Sequence, residues 1–85
     1  MNAQAAAKVA TAVTRLALGN FSNVKGACSV FELRIDFGPG YRVYFGKDGD
    51  WLIILLGGGI KKRQQHDINA AGANWEDYKR GKQGR

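Results

Sequence analysis

Eighty-five residues supply one domain, because a chain this short cannot enclose two independent cores. Lys and Arg number 13 against 7 Asp and Glu, a formal charge of +6, which points to a polyanion, nucleic acid first, or serves solubility alone. A single cysteine, Cys28, and a single histidine, His66, exclude an internal disulfide framework and a structural zinc site, so no metal or cofactor is expected. The longest apolar run, Trp51 to Leu56, is far below the roughly 18 residues that cross a bilayer. Lys8 and Arg15 interrupt the Ala-rich opening, so no secretion signal is expected, and a reducing, cytoplasmic setting is the reading.

Ala3 to Leu18 predicts an amphipathic helix: Val9, Ala12, Val13, Leu16 and Ala17 recur at three- and four-residue spacing, and Gly19-Asn20 stops it. Phe21 to Ser29 shows no period and reads as a loop. From Val30 the period becomes two. Phe31, Leu33, Ile35 and Phe37 share one face of a strand, and Glu32, Arg34 and Asp36 the other. Gly38-Pro39-Gly40 turns the chain into a second strand, with Tyr41, Val43 and Phe45 on the apolar face and Arg42 and Tyr44 opposite. A three-residue loop would set Phe37 against Tyr41, Ile35 against Val43, Asp36 against Arg42 and Arg34 against Tyr44.

Asp48-Gly49 favours a two-residue turn into a third strand, Trp51 to Leu56, continuously apolar as if covered on both faces. Leu52 and Ile54 are expected on the apolar face, and Trp51, Ile53 and Leu55 beside Arg42 and Tyr44. Gly57-Gly58-Gly59 reads as a break used for a hinge or close backbone packing. A second helix is predicted from about Gln64 to Arg80, burying Ile68, Ala71, Trp75 and Tyr78, with residues 81–85 a disordered tail. The fold class is therefore α+β. Residues 1–85 make one domain with a three-stranded antiparallel sheet, an N-terminal helix on one face and a C-terminal helix bordering a cleft.

Arg34 and Arg42 on a rigid hairpin suit phosphate, because each guanidinium offers a fork of donors that matches two phosphate oxygens. The alternative is an exposed cross-strand pair of Arg42 with Asp36. Lys61, Lys62 and Arg63 at the mouth of the expected cleft bind flanking phosphates or form a solvated charge run. Tyr44 stacks on a base or packs within the sheet. His66, with an ordinary pKa near neutrality, is the natural acid or base for cutting RNA, or a solvated side chain at a helix start.

The run Glu32-Leu33-Arg34-Ile35-Asp36-Phe37-Gly38-Pro39-Gly40-Tyr41-Arg42-Val43-Tyr44-Phe45 resembles the RelE/ParE superfamily of toxins. With Arg15 to Phe21 and Leu55 to Gly59, it is most similar to the HigB-like group of phage-derived addiction-module killer proteins. The resemblance implies the toxin of a type II toxin-antitoxin system that cleaves mRNA on the ribosome without a metal, held by a cognate antitoxin. It places Arg42 and Arg34 at the catalytic centre with Lys61 or Lys62 after the glycines. The family's usual opening strand and helix have no counterpart before Ala3. That departure leaves an uncovered sheet edge for a partner or a second copy, and raises the reading of an inactive relative that only binds its antitoxin; the superfamily also offers a ParE-like DNA gyrase inhibitor acting by protein contact.

Overall fold

The computed structural model describes residues 2–50 and 52–83. Helix α1 spans Ala3–Ala17, strands β1 to β4 span Val24–Ala27, Val30–Ile35, Tyr41–Asp48 and Leu52–Ile60, and a 3-10 turn at Lys61–Arg63 leads into α2, Gln64–Gln83. The fold is α+β, as the sequence implies, with an antiparallel sheet of order β1-β2-β3-β4. Asn2 caps α1, its Oδ1 accepting from the Ala5 N–H at 2.8 Å. The helix ends where Gly19 turns left-handed at φ +95°, with Asn20 N–H donating to Arg15 O and Gly19 N–H to Leu16 O. Along α1, Val9, Ala12, Val13 and Leu16 pack on Leu33, Ile35 and Phe45 of the sheet.

The structure corrects the sequence reading in the sheet and in the helix that covers it. It has four strands rather than three, because Val24–Ala27, expected as loop, pairs with β2 from Val24 opposite Leu33 to Ala27 opposite Val30. This strand is short and holds Lys25 and Gly26, so only its partner reveals it. The β2–β3 register is two residues off the expected one: Ile35 faces Tyr41, Arg34 faces Arg42 and Glu32 faces Tyr44. The loop runs from Asp36 to Gly40, closed by Gly40 N–H donating to Phe37 O, so Asp36 never reaches Arg42. A shift of two preserves the faces.

The glycines do not break the third predicted strand. Gly57, Gly58 and Gly59 lie inside β4 opposite Tyr44, Val43 and Arg42. Close packing explains two of them: a Cβ on Gly58 would come within 3.0 Å of Arg42 O, and one on Gly59 would collide with the Asp67 carboxylate. The β3–β4 pairing begins with Asp48 opposite Leu52 and Lys47 opposite Ile53, and the register shifts only beyond, between Tyr44 and Phe45. The start is an odd offset from the two-residue turn expected, and this leaves Ile53 in the α1 core and Ile54 and Leu56 toward α2. That exchanges the expected faces, with Leu55 now opposite Phe45. The expectation for Trp51 falls outside the described residues.

A further correction concerns α2. It lies across the second face of the sheet, packing Ile68, Ala71 and Trp75 on Ala27, Val30, Tyr44, Ile54 and Leu56. The helix continues through Gly81 and Lys82 to Gln83, where a tail was expected; residues 84–85 fall outside the described residues. Three polar ties hold its C-terminal half down: Asn74 Nδ2 donates to Leu56 O at 2.8 Å, Tyr78 Oη donates to Asp48 at 2.7 Å, and Lys82 pairs with the same carboxylate. Lys82 and then Tyr78 hold the Asp48 carboxyl below its ordinary value. This tie is therefore intact above the usual carboxylate range and is lost only as pH falls through the lowered value.

Gly46 makes the approach of α2 sterically legible, because a Cβ there would lie 2.5 Å from the Trp75 ring. Gly46→Ala should cost about 1–3 kcal/mol by forcing the indole out of its seat. Urea unfolding should show a lowered midpoint with an unchanged slope.

Candidate nucleic-acid interface

The face of the sheet beneath α2 has a polar end and an apolar end. Antiparallel pairing sets Arg34 abreast of Arg42 and Arg42 abreast of Gly59 in one row, and Lys25, Glu32, Tyr44 and Gly57 in the next. Asn23 extends the first row, its carbonyl accepting from the Arg34 N–H at 3.0 Å. Beyond these rows lie Ala27, Val30 and Leu56. The start of α2, with Gln64 and Asp67, sits over the polar rows, and Ala71 and Trp75 sit over the apolar ones.

At the centre is a carboxylate that the sequence reading left without a role. Glu32 is fully buried, and its Oε1 lies 3.7 Å from both Arg34 Nε and Arg42 Nε. Its Oε2 accepts from Gln64 Nε2 at 2.6 Å. The two 3.7 Å approaches are ion pairs without hydrogen bonds, and Glu32 Oε1, Arg42 Nε and Tyr44 Oη each have no hydrogen-bond partner. Arg42 instead donates Nη1 to Tyr41 O at 2.9 Å. Burial, then the Glu32 charge, pushes the Tyr44 phenol up to about 12, so it stays protonated at neutral pH.

Of the residues singled out from sequence, Arg34 and Arg42 do share one face and one carboxylate. Their exposure differs sharply: the Arg34 side chain is 44% exposed and that of Arg42 only 2%. The open cleft expected around Arg42 and Tyr44 is therefore corrected to a covered layer, because α2 occupies it and leaves Tyr44 fully buried. Lys61 stays with the site, since its N–H donates to Gly40 O at 2.7 Å and its side chain shares a notch with Arg42, Asp36 and the 37–40 loop. Lys62 and Arg63 are exposed on the 3-10 turn. His66 is exposed and half a helical turn from Gln64, so it points away from the sheet and is not brought to the arginines.

Sequence reading missed Glu32, Lys25, Gln64 and Asp67. For Glu32 the signal was present, because alternation places it on the same face as Arg34. Lys25 carried none, since its strand was unrecognised. Among the described residues no cluster of three or more His, Cys, Asp or Glu is arranged to hold a metal, and no helix is long and apolar enough to cross a membrane.

Charge is distributed unevenly over this fold. On the last half of α2, Lys79, Arg80 and Lys82 are paired with Glu76, Asp77 and Asp48. At the polar end, Lys25, Lys61, Lys62 and Arg63 have no carboxylate partner among the described residues; Lys8 and Arg15 on α1 and Lys47 on β3 are likewise unpaired but stand apart from one another. Such a surplus on one edge is an electrostatic footprint for a polyanion. In class, then, this is a small basic α+β domain with a four-stranded meander between two helices. No family model and no solved structure matches the chain. Over 71 residues it is 46% identical to a Haemophilus influenzae protein described only as uncharacterized, covering 82% of this chain and 72% of that one. The chain belongs to the family of that protein.

The buried Glu32–Arg42 pair and the buried Tyr44 each yield an expected outcome. Arg42→Ala should destabilise the fold by about 3–5 kcal/mol because it strips a buried carboxylate of its enclosed partner, whereas Arg42→Met combined with Glu32→Leu should recover most of the loss; chemical denaturation measures both. In a spectrophotometric titration Tyr44 should ionise near 12. Because its folded value lies above the ordinary 10.0, the stability linked to it is complete below pH 10 and falls as pH rises toward 12.

Proposed function

We propose that this chain is the toxin of a type II toxin-antitoxin pair, of the RelE/ParE superfamily and HigB-like group, acting on mRNA at the ribosome. The observation that carries the reading is the concentration of unpaired cations around Arg34 and Lys61, at the edge where Arg34 and Arg42 stand abreast. The Leu33-to-Phe45 run supplies the resemblance, and its two arginines are the ones gathered on Glu32. In this reading Arg34 and Lys61 grip the backbone phosphates. Lys62 and Arg63 hold the flanking chain.

Cleavage would proceed by attack of a ribose 2′-oxygen on the adjacent phosphorus, forming a cyclic phosphate and breaking the bond to the 5′-oxygen. The 2′-hydroxyl proton leaves to a base, and the departing 5′-oxygen takes one up. Arg34 and the buried Arg42 charge stabilise the extra negative charge of the transition state. His66 faces away from them, so a role in proton transfer is assigned to it only if the RNA wraps the start of α2. The exposed Leu52 and Leu55 beside the free β4 edge are where the antitoxin, or a second copy, would sit.

The burial of Arg42 and Tyr44 favours a second reading, a ParE-like gyrase inhibitor that works by protein contact. An inactive relative that only binds its antitoxin is the third. Induced expression separates them. The first predicts growth arrest with newly cut transcripts, the second double-strand breaks with transcripts intact, and the third no arrest. Arg34→Ala and Lys61→Ala, both at exposed positions, should each relieve arrest at least tenfold while the circular dichroism spectrum is kept. Full toxicity of both variants would remove the proposed site.

A further inference from the structure

A second notch opens on the same face of the sheet, where α2 does not reach. It has a volume of about 260 Å³ and is lined by Ser22, Asn23, Val24, Lys25, Arg34 and Asp36. Lys25 is the cross-strand neighbour of Glu32, and Arg34 lies beside Asn23, so both cations rise from the α2 side of the sheet. The first notch, about 390 Å³, holds Arg42 and Lys61 beyond the 36–40 loop. Asp36 borders both. From β1 to β3 is two strand spacings, about 10 Å, so the notches form one track across the polar end of the sheet.

Each notch offers cationic side chains, and the second adds the neutral polar Ser22 and Asn23, as a phosphodiester requires. Asp36 is the anomaly. It is exposed, with no ion pair among the described residues. A carboxylate midway along a phosphate track repels its ligand unless it accepts a hydrogen bond from it. The sugar-phosphate backbone has one group that donates, the ribose 2′-hydroxyl, which only RNA carries.

We infer that Lys25 binds a second backbone phosphate beyond the one that Arg34 and Lys61 grip, and that Asp36 accepts the 2′-hydroxyl of the intervening ribose, making the track selective for single-stranded RNA over DNA. The inference rests on the proposed RNA reading for its ligand class but requires no cleavage. Its residues include two, Lys25 and Asp36, outside the predicted catalytic set.

Fluorescence anisotropy with oligouridylate and oligothymidylate of equal length tests it on the full chain. The intact protein should bind the RNA about tenfold more tightly, the scale of one hydrogen bond to a charged group. Lys25→Ala should weaken RNA and DNA alike and lower the salt dependence by about 0.7 in logarithmic slope, the value for one phosphate contact on a single strand. Asp36→Ala should bring the RNA-to-DNA ratio near one, mainly by tightening DNA. If Lys61→Ala weakens RNA binding while Lys25→Ala and Asp36→Ala change neither slope nor ratio, the second notch is wrong and the RNA reading survives. If the intact chain binds neither oligonucleotide, both fall. Equal binding of the two by the intact chain, with Lys25→Ala still effective, overturns the role of Asp36 alone.

Discussion

Burying a carboxylate in the middle of a sheet costs several kcal/mol unless cations are buried with it, and Glu32 is held between two. Arg42, directly beneath α2, shares its loss of water; Arg34, nearer the open side, keeps almost half of its side chain in solvent. The pairing fits only the observed register, in which Arg34 and Arg42 are abreast and Glu32 lies one row away opposite Tyr44. Gln64 then ties the first turn of α2 to the same carboxylate. Register, helix placement and the local field are thus linked through a single acidic side chain.

The helix α2 is matched to the sheet along its length. Its first turns bring Gln64 and Asp67 over the charged rows, and its middle brings Ala71 and Trp75 over the apolar ones. Two glycines set the distance, one under the Asp67 carboxylate and one under the Trp75 ring. A helix with so few apolar residues is held as much by its polar ties to Leu56 and Asp48 as by its packing. Those ties are solvent-accessible at the Asp48 end, so that end is the part of the helix most sensitive to pH and salt.

For function, the consequence is a division between arginines. Arg42 stabilises the interior and projects a charge from below, while Arg34 and Lys61 are free to touch a ligand. Among the described residues, Lys25, Lys61, Lys62 and Arg63 border this edge without a carboxylate partner, whereas Lys79, Arg80 and Lys82 on the far end of α2 are neutralised by neighbours. In the proposed reading, the open corner formed by β1, β2 and the 36–40 loop is where a polyanion would lie.

Both helices, the two central strands and the face carrying Arg34 and Arg42 were legible in the sequence, because periods of 3.6 and 2 directly report which side chains share a surface. Local signals ran out where partners decide. Val24–Ala27 becomes a strand only by pairing with β2, and the glycines stay extended only because β3 borders them on one side and α2 presses on the other. The loop after β2 chose five residues over three, which no periodicity distinguishes, since a slip of two leaves each face intact. Whether a polar face is a cleft or a covered layer is likewise not written in its own residues: it depends on where the distant segment Gln64–Gln83 comes to rest, and that is settled by the long-range contacts of Gln64, Ala71 and Trp75.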